Sequence, residues 1–284
     1  MRGPEGPARR RSGWLGQSSG ATLSDHGCSS YALDRRRAEI VTAWLRDAAP
    51  LGQRAMYIGA APAKALHAEL ADFPALDHAV ESGALVVASA VDFYDLGEPI
   101  DPESQLALYD RAVELAIADG YRGLRVAADI TPLVLDEALR RSHLHWEQYA
   151  DRYMTERPLA PLCIYDARKI PALPAIAAVH PLQGPHEPRF AVFGSDRDAA
   201  ALVGEIDGCS ADVLSDVLAG LPATDRCLDV EGLAFLDART AAVLQHELQR
   251  RADEHHPIRI VGASQMFRKV WDLCELDPEL IVAG

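Results

Sequence analysis

The chain has 284 residues, of which 49% are hydrophobic and 25% are charged, an ordinary globular composition with enough length for two domains. A formal net charge of −14 argues against a general nucleic-acid binder, because neutralising phosphates requires clustered lysine and arginine. No stretch reaches the roughly 18 uninterrupted apolar residues of a membrane-spanning helix, so we expect no membrane partner.

The first segment, residues 1–25, is predicted to be a disordered N-terminal arm. It is rich in Gly, Pro, Ser and Arg up to about Ala21, and a segment of this composition has little apolar surface to bury.

Residues 26–180 alternate apolar runs typical of β-strands with helical patterns, which predicts a parallel sheet covered on both faces. The predicted helices are 33–48, 64–70, 102–119 and 136–153, and the predicted strands are 53–58, 84–89, 123–128 and 161–165. Gly120 is a natural C-cap for the helix 102–119. The expected fold class of this region is a three-layer α/β domain.

Five fragments of this region, in order along the chain, resemble the MEDS family of methanogen/methylotroph sensory domains. They are HGCSSY from His26, MYIG from Met56, SGALVV from Ser82, GYRGLRVAADI from Gly120 and LCIYDARKIP from Leu162. The resemblance covers roughly residues 26–182. It implies a RecA-like fold with nucleotide-binding ancestry and a role in sensing small molecules, with hydrocarbon derivatives as the proposed ligands.

The sequence after the strand 53–58 is interpreted as a degenerate phosphate loop. A working loop needs G-x-x-x-x-G-K-[ST] between a strand and a helix, and the chain offers GAAPAKA from Gly59. The second glycine is missing, Lys64 comes one position early, and Ala65 stands where the hydroxyl belongs. Pro62 also removes a backbone N–H from the phosphate cradle. We therefore expect no ATP hydrolysis.

Carboxylates at strand ends leave an alternative open, a degenerate RecA-like nucleotide-binding protein or an enzyme. Asp129 resembles a magnesium-coordinating aspartate, and Asp92 and Asp95 follow another strand. An aspartate that only caps a strand end is the simpler interpretation. The chain has no nucleophile elbow and no H-E-x-x-H motif, so we expect no catalytic residues and no enzymatic activity.

Four further residues are candidates for ligand binding in the sensory domain, in addition to Asp129. His26 and Cys28 lie close in sequence and suit zinc, but two ligands do not close a site, and spacing does not propose His143 or His145 as a third. We therefore expect no metal and no cofactor.

Trp146 and Tyr149 share a helical face with Tyr153. Such a stripe is either core or the wall of an aromatic pocket.

Residues 181–188 contain three prolines and are predicted to be a stiff linker. Beyond it, strand patterns alternate with helical patterns. The strand patterns are at 189–193, 201–206 and 257–263, and the helical patterns are at 211–221 and 267–273. Residues 227–244 are interpreted as a buried strand, an acidic loop and the start of a helix. Residues 189–284 are therefore predicted to form a small mixed-sheet α/β domain.

Three fragments of this second region resemble the STAS domain of anti-sigma factor antagonists. They are GEID at Gly204–Asp207, the DVEGLAFLDARTAAVL segment, and IVGAS at Ile260–Ser264. In that family the serine after the central aspartate is phosphorylated by a partner kinase, which also binds the domain as an anti-sigma factor. The resemblance implies partner-binding residues at this corner, namely Asp207, Asp237, Ala238, Arg239, Thr240 and Ser264.

The corner departs from the family at the phosphorylated position. Asp237 matches the aspartate, but Ala238 replaces the serine and has no hydroxyl to phosphorylate. Thr240 and Ser264 leave a displaced phosphorylation site open. If phosphate at this corner ejects the partner by adding negative charge near an acidic loop, an alanine leaves the domain in its partner-binding state. Regulation would then have to come from elsewhere.

The sequence as a whole favours a signalling protein, in which a sensory domain is coupled to an antagonist-like domain that binds an anti-sigma factor or a histidine-kinase-like protein. A scaffold that only docks other signalling proteins is not separated from this by sequence. The five cysteines, odd in number and widely spaced, indicate reduced thiols, and we expect a cytoplasmic protein.

Overall fold

The computed structural model describes residues 10–15, 20–62, 64–66, 74–170, 172–184 and 188–282. These residues form a seven-stranded parallel sheet flanked by helices and a second, five-stranded sheet. The predicted α/β fold class, with a RecA-like parallel sheet in the first part of the chain, is confirmed. Among the described residues, no helix has the length and apolar character to cross a membrane.

The first sheet is built from seven strands and is covered by helices. The strands are β1 (Gly13–Trp14), β2 (Gly27–Tyr31), β3 (Arg54–Gly59), β4 (Leu85–Ser89), β5 (Leu124–Asp129), β6 (Leu159–Asp166) and β7 (Leu182–Gln183). The helices are α1 (Asp34–Arg46), α2 (Asp77–Glu81), α3 (Ala90–Phe93), α4 (Pro102–Ala118), α5 (Glu137–Glu156) and α6 (Leu173–Ala178). The strand order is β1-β7-β2-β6-β5-β3-β4.

Local sequence explains the two long helices and the central strands. Asp101 caps α4 by accepting a hydrogen bond from the Ser104 N–H, and Asp136 caps α5 by accepting from the N–H groups of Ala138 and Leu139. Every residue of β5 and β6 is buried, as expected for parallel strands covered on both faces.

The second sheet follows β7 along the chain. Its strands are β8 (Phe190–Asp196), β9 (Ala199–Ile206), β10 (Cys227–Asp229), β11 (Leu233–Leu236) and β12 (Arg259–Val261), and its helices are α7 (Ala211–Ala219), α8 (Ala238–Asp253) and α9 (Gln265–Leu273). β8 pairs with one edge of β9 in antiparallel orientation. The other edge of β9 pairs with β10 and then with β11, both in parallel orientation, and β12 lies parallel to β10.

The predicted strand within 227–244 is divided into β10 and β11 by a tight turn. The Leu233 N–H donates to the Val230 carbonyl at 3.0 Å and closes the turn. A Cβ on Gly232 would lie 2.7 Å from Val203 Cγ1, so this turn packs directly on β9.

Parts of the predicted arm and linker are ordered, which corrects the sequence interpretation. β1 pairs with β7, and Arg10 forms an ion pair with the buried Asp151. This part of the arm therefore adds an edge strand to the first sheet and a charge partner to α5. Gln183 is buried in β7, so the connection starts later than residue 181. Residues 1–9, 16–19 and 185–187 lie outside the described residues. Of the predicted helix 64–70, residues 64–66 are helical and 67–70 also lie outside the described residues.

Helix α5 lies between the two sheets and contacts both. Gln148 Nε2 donates to the Val217 carbonyl at 2.9 Å, and Arg152 pairs with Asp225 of the second unit. The opposite side of α5 packs on the first sheet, and one hydrophobic cluster runs through both units. The two units therefore share a continuous core around α5.

Candidate functional site

A cluster of buried polar side chains lies between the first sheet and α5. His26 directly precedes β2, Cys163 belongs to β6, His180 lies shortly before β7, and Glu147 projects from α5. β2 lies between β6 and β7, and the parallel register places Gly27 beside Leu162 on one side and beside Leu182 on the other. The sheet therefore brings three distant segments together, and α5 adds the carboxylate.

These four side chains surround one point. His26 Nε2 lies 3.2 Å and His180 Nε2 lies 3.6 Å from Glu147 Oε2. Cys163 Sγ lies 3.7 Å from His26 Nε2 and 3.8 Å from Glu147 Oε2. One donor atom from each residue lies within 4.8 Å of all the others, and all four residues are buried.

The orientation of both imidazole rings is fixed by the other ring nitrogen. His26 Nδ1 lies 3.0 Å from Asp151 Oδ1, and His180 Nδ1 lies 2.8 Å from the Ile176 carbonyl. A carbonyl oxygen only accepts, so His180 Nδ1 carries the proton and its Nε2 is a bare lone pair. Among the described residues, His180 Nε2 has no hydrogen-bond partner.

Burial and neighbouring charges shift the pKa values of this cluster. Burial by itself raises the pKa of Glu147, but His143, His180 and His26 outweigh it and the net pKa is well below its usual value. Burial, helped by His26, lowers the pKa of His180 to about 3. Burial and the Glu147 charge raise the pKa of the Cys163 thiol. The lowered pKa of Glu147 favours its ionised form, and the lowered pKa of His180 favours the neutral imidazole.

The pKa of His26 moves in the opposite direction from that of His180. Burial lowers it, but hydrogen bonds to Asp151 and Glu147 outweigh burial, and the net direction is upward. Burial also acts to raise the pKa of Asp151, yet Arg10 and His26 lower it overall. His26 thus lies between two carboxylates, one of which is neutralised by Arg10.

A second group of residues supports the cluster from α5 and β6. His143 Nε2 lies 3.0 Å from Glu147 Oε1 and 2.9 Å from the Tyr165 hydroxyl, and both side chains are fully buried. His143 therefore occupies one carboxylate oxygen of Glu147 and leaves the other oxygen directed at His26 and His180.

A small cavity adjoins the cluster on the α4 side. Its wall includes four aromatic rings, Tyr94, Tyr109, Trp146 and Tyr153, together with Glu147 and Cys163. The cavity has room for about one water molecule. Two groups of the cluster thus face an aromatic cavity. A larger open cleft of about 520 Å³ lies elsewhere, between β1, β7 and the second sheet, and contains none of the cluster residues.

The predicted ligand-binding residues divide between this site and other places. His26 is in the cluster, Cys28 is buried beside Cys163 in the sheet register, and Trp146 lines the cavity. Tyr149 is half-buried beside His145 and does not line the cavity. The helical stripe thus contributes Trp146 and Tyr153 to the cavity but not the residue between them.

Asp129 lies away from the cluster, at the carboxyl end of β5. Its carboxylate accepts hydrogen bonds from the Tyr31 hydroxyl and the Thr131 hydroxyl, each at 2.7 Å, and it is fully buried. Both oxygens are thus held by the chain itself, as in a strand-end cap. Asp92 and Asp95 are exposed, so the three carboxylates do not share one environment.

The region of the degenerate phosphate loop is filled by a side chain. A Cβ on Gly59 would collide with Cδ2 of Leu66, and Leu66 is almost fully buried. Lys64 is exposed. Apolar packing therefore replaces the open glycine backbone that would approach a phosphate.

The predicted partner-binding corner of the second unit lies where β11 meets α8. Asp237 caps α8 by accepting from the Thr240 N–H at 2.9 Å and also accepts from the Gly208 N–H at 2.7 Å. Hydrogen bonds from Thr240, opposed by slight burial, lower the pKa of Asp237. Asp237 therefore joins two loops as an ionised carboxylate.

The other corner residues differ in exposure. Asp207, Ala238, Arg239 and Ser264 are exposed, with Asp207 and Ser264 capping short helical segments. Thr240 is fully buried, and its hydroxyl hydrogen-bonds with Asp237. Thr240 therefore positions the corner and does not face a partner, which corrects its assignment as a contact residue and argues against phosphorylation there.

Sequence reasoning missed Glu147, Cys163 and His180 as site residues. A partial signal exists on α5, because His143, Glu147 and Asp151 recur every four residues and therefore lie on one helical face. Cys163 and His180 carry no local signal, because only the strand order brings them to His26.

The sheet, its covering helices and the enclosed polar site define an α/β domain of the RecA-like class with an internal site. Residues 25–181 match the family model of MEDS, the methanogen/methylotroph, DcmR sensory domain. The match covers more than half of the chain, which therefore belongs to the MEDS family, as the sequence resemblance predicts. This membership assigns the chain to sensing and signal transduction. No match to a curated protein was found.

Proposed function

We propose that this chain is a two-part signalling protein in which the MEDS domain senses a small molecule and the second unit transmits the state of that domain to a protein partner. The sensed molecule enters at the aromatic cavity beside Glu147 and Cys163, whose walls move apart to admit anything larger than a water molecule. The partner is an anti-sigma factor or a histidine-kinase-like protein, as the STAS resemblance of the second unit implies. No catalysis is part of this function.

The observation that carries the proposal is the double contact of α5. One face of this helix presents Trp146 and Glu147 to the cavity and the cluster. Another face presents Gln148 and Arg152 to the second unit. A ligand that moves α5 at the cavity therefore moves groups that hold the second unit.

Asp151 provides the shortest connection between the two parts. One carboxylate oxygen contacts His26 of the cluster at 3.0 Å, and the other accepts from the Gly194 N–H of β8 at 2.7 Å. A Cβ on Gly194 would lie 2.7 Å from Arg152 Cγ, so β8 packs directly on α5. Closely packed elements of this kind transmit small shifts, because cores do not compress.

The strand order of the second unit supports a STAS-like role. An antiparallel β8–β9 pair, followed by parallel strands with helices after β9, β11 and β12, leads to the corner at Asp237. Phe235 and Met266, on β11 and at the start of α9, are both exposed by more than two fifths. These apolar side chains, with Ala238 and Arg239, form a surface suited to a protein partner.

The proposal is tested by measuring the affinity of the full chain for the anti-sigma kinases of its own organism. Substituting Asp237 would also remove a helix cap, so Ala238→Glu is the sharper variant. Ala238 is exposed in the first turn of α8, where a negative charge is compatible with the helix. We expect Ala238→Glu to weaken the complex at least tenfold, about 1.4 kcal/mol.

Ala252→Glu is the matched control. Ala252 is also exposed on α8 but lies 14 residues further on, about 21 Å along the helix axis. The control should bind as the wild type does. Equal binding by Ala238→Glu and Ala252→Glu, or no complex with any anti-sigma kinase, would contradict this assignment of the partner surface.

A further inference from the structure

We propose that His26, Glu147, Cys163 and His180 bind one divalent transition-metal ion, with zinc as the best-suited ion, inside the sensory domain. This goes beyond the proposed function, since metal binding here does not depend on which small molecule or partner the protein recognises. It also departs from the sequence expectation of no metal, which rested on spacing that offered only His26 and Cys28.

Three of the six distances between the donor atoms are close to the edges of a tetrahedral zinc site, and all six lie within 4.8 Å. Zn–N and Zn–O bonds of about 2.0–2.2 Å and a Zn–S bond of about 2.3 Å place neighbouring ligand atoms about 3.3–3.7 Å apart. His26 Nε2 and His180 Nε2 lie 3.2 and 3.6 Å from Glu147 Oε2. Cys163 Sγ lies 3.7 Å from His26 Nε2. One ion at the centre would contact all four atoms once the wider pairs, which reach up to 4.8 Å, close around it.

Hydrogen bonding alone leaves this arrangement incomplete. The lone pair of His180 Nε2 and the carboxylate of Glu147 are both acceptors and face each other at 3.6 Å in a buried site. That separation is too long for a good hydrogen bond, and two facing acceptors repel. A cation between them satisfies both groups.

The groups behind the ligands are those that metal sites use. The Nδ1 atom of His26 hydrogen-bonds with the Asp151 carboxylate, and the Nδ1 atom of His180 hydrogen-bonds with the Ile176 backbone carbonyl. Such outer contacts fix the tautomer and direct Nε2 at the metal. His143 holds the second oxygen of Glu147 at 3.0 Å and thereby orients the first one.

The charges of the site also balance around a divalent ion. The Cys163 thiolate and the Glu147 carboxylate together carry two negative charges, and Asp151 is neutralised by its ion pair with Arg10. Two imidazoles, one thiolate and one carboxylate suit zinc better than magnesium or calcium, which prefer oxygen ligands alone. Binding requires loss of the Cys163 proton and of the Nε2 proton that His26 shares with Glu147, and a bound metal promotes both losses.

The test uses the full chain without a histidine tag, stripped with chelator, reduced, and titrated with Zn²⁺ or Co²⁺ alone. We expect one equivalent to bind, with a cobalt spectrum of tetrahedral type that includes thiolate-to-cobalt charge transfer. X-ray absorption of the zinc form should show one sulfur and three nitrogen or oxygen neighbours. Failure to bind an equivalent, or a metal shell without sulfur, overturns the proposal using the wild type alone.

Variants then assign the ligands. Cys163→Ser should remove the charge-transfer band and weaken binding more than about 100-fold, since even outer-shell changes cost about 10–100-fold. Asp151→Asn should fall within that 10–100-fold range. Cys227→Ser, a half-buried cysteine of the second unit, should bind as the wild type does. Retention of the band in Cys163→Ser, or its loss in Cys227→Ser, overturns the assignment.

Discussion

Replacing Asp225 by asparagine removes the charge partner of Arg152, at the contact between α5 and the second unit. The guanidinium Nε donates to Asp225 Oδ1 at 2.7 Å and Nη2 donates to the other oxygen. The Arg152 side chain is 7% exposed and that of Asp225 is fully buried. Asp225→Asn therefore leaves a guanidinium charge buried without a counter-ion, which typically destabilises a protein by about 3–5 kcal/mol.

The expected loss is large enough for simple unfolding assays. A change of 1 kcal/mol shifts the Tm of a chain of this size class by about 2–4 °C, so a loss of about 3–5 kcal/mol lowers the Tm by roughly 6–20 °C. Denaturant unfolding, followed by tryptophan fluorescence and circular dichroism, gives the free energy directly. The surface pair Arg189–Glu205 provides the control, because Glu205→Gln should change stability by less than about 1 kcal/mol.

A double-mutant cycle separates the pair from other effects. The cycle compares Arg152→Met, Asp225→Leu and the double variant. The double variant removes both charges and should be more stable than Asp225→Leu alone, because no buried charge is left unpaired. If Asp225→Asn is no worse than Glu205→Gln, or if the single changes simply add, then this pair does not join α5 to the second unit in the way described.

Three further outcomes are expected. Gly194→Ala should lower stability by about 1–3 kcal/mol through overpacking against Arg152, whereas Gly97→Ala, whose Cβ would meet only Asp95 Oδ1 at 3.4 Å, should be near neutral in the same unfolding assay. Because the pKa of Asp237 is lowered in the folded state, its carboxylate stabilises the fold fully above the unfolded carboxyl pKa of about 3.9, and this stabilisation is lost as the pH falls through the lower folded value. The unfolding free energies of the wild type and Asp237→Asn should therefore converge below about pH 4. A difference that widens with acid would contradict this. Calorimetric titration with MgATP should give no binding heat. A binding isotherm that Lys64→Ala abolishes would show that the phosphate loop is functional and would contradict its interpretation as degenerate.

Local signals determined how far the sequence could predict the fold. The helix predicted at 102–119 is observed at Pro102–Ala118, because Asp101, the following proline and Gly120 mark both ends. β1 and β7 were not predicted as strands, because each has two residues and no period can be read from so short a run. The corner at Asp237 was found from sequence because its strand, cap and helix are contiguous.

The buried cluster could not be derived from sequence for a topological reason. Its members come from the segment before β2, from α5, from β6 and from the segment before β7, and the strand order that brings them together is set by pairing between distant residues. His26 was identified as a candidate ligand. Its closeness in sequence to Cys28 suggested that residue as the second ligand, whereas the fold places Cys163 in the cluster with His26. Thr240 illustrates the opposite error, since a hydroxyl that appears available in sequence is fully buried.

Coupling of the sensory site to the second unit through α5 is tested most directly by hydrogen exchange of backbone amides in the full chain. The wild type is compared with Glu147→Gln and with Glu114→Gln, an exposed control on α4. With this coupling, Glu147→Gln raises amide exchange around the cluster and also in β8 at Gly194 and at the start of α8, whereas the control changes neither. A response confined to residues 26–183 would contradict the claim that α5 couples the sensory site to the second unit.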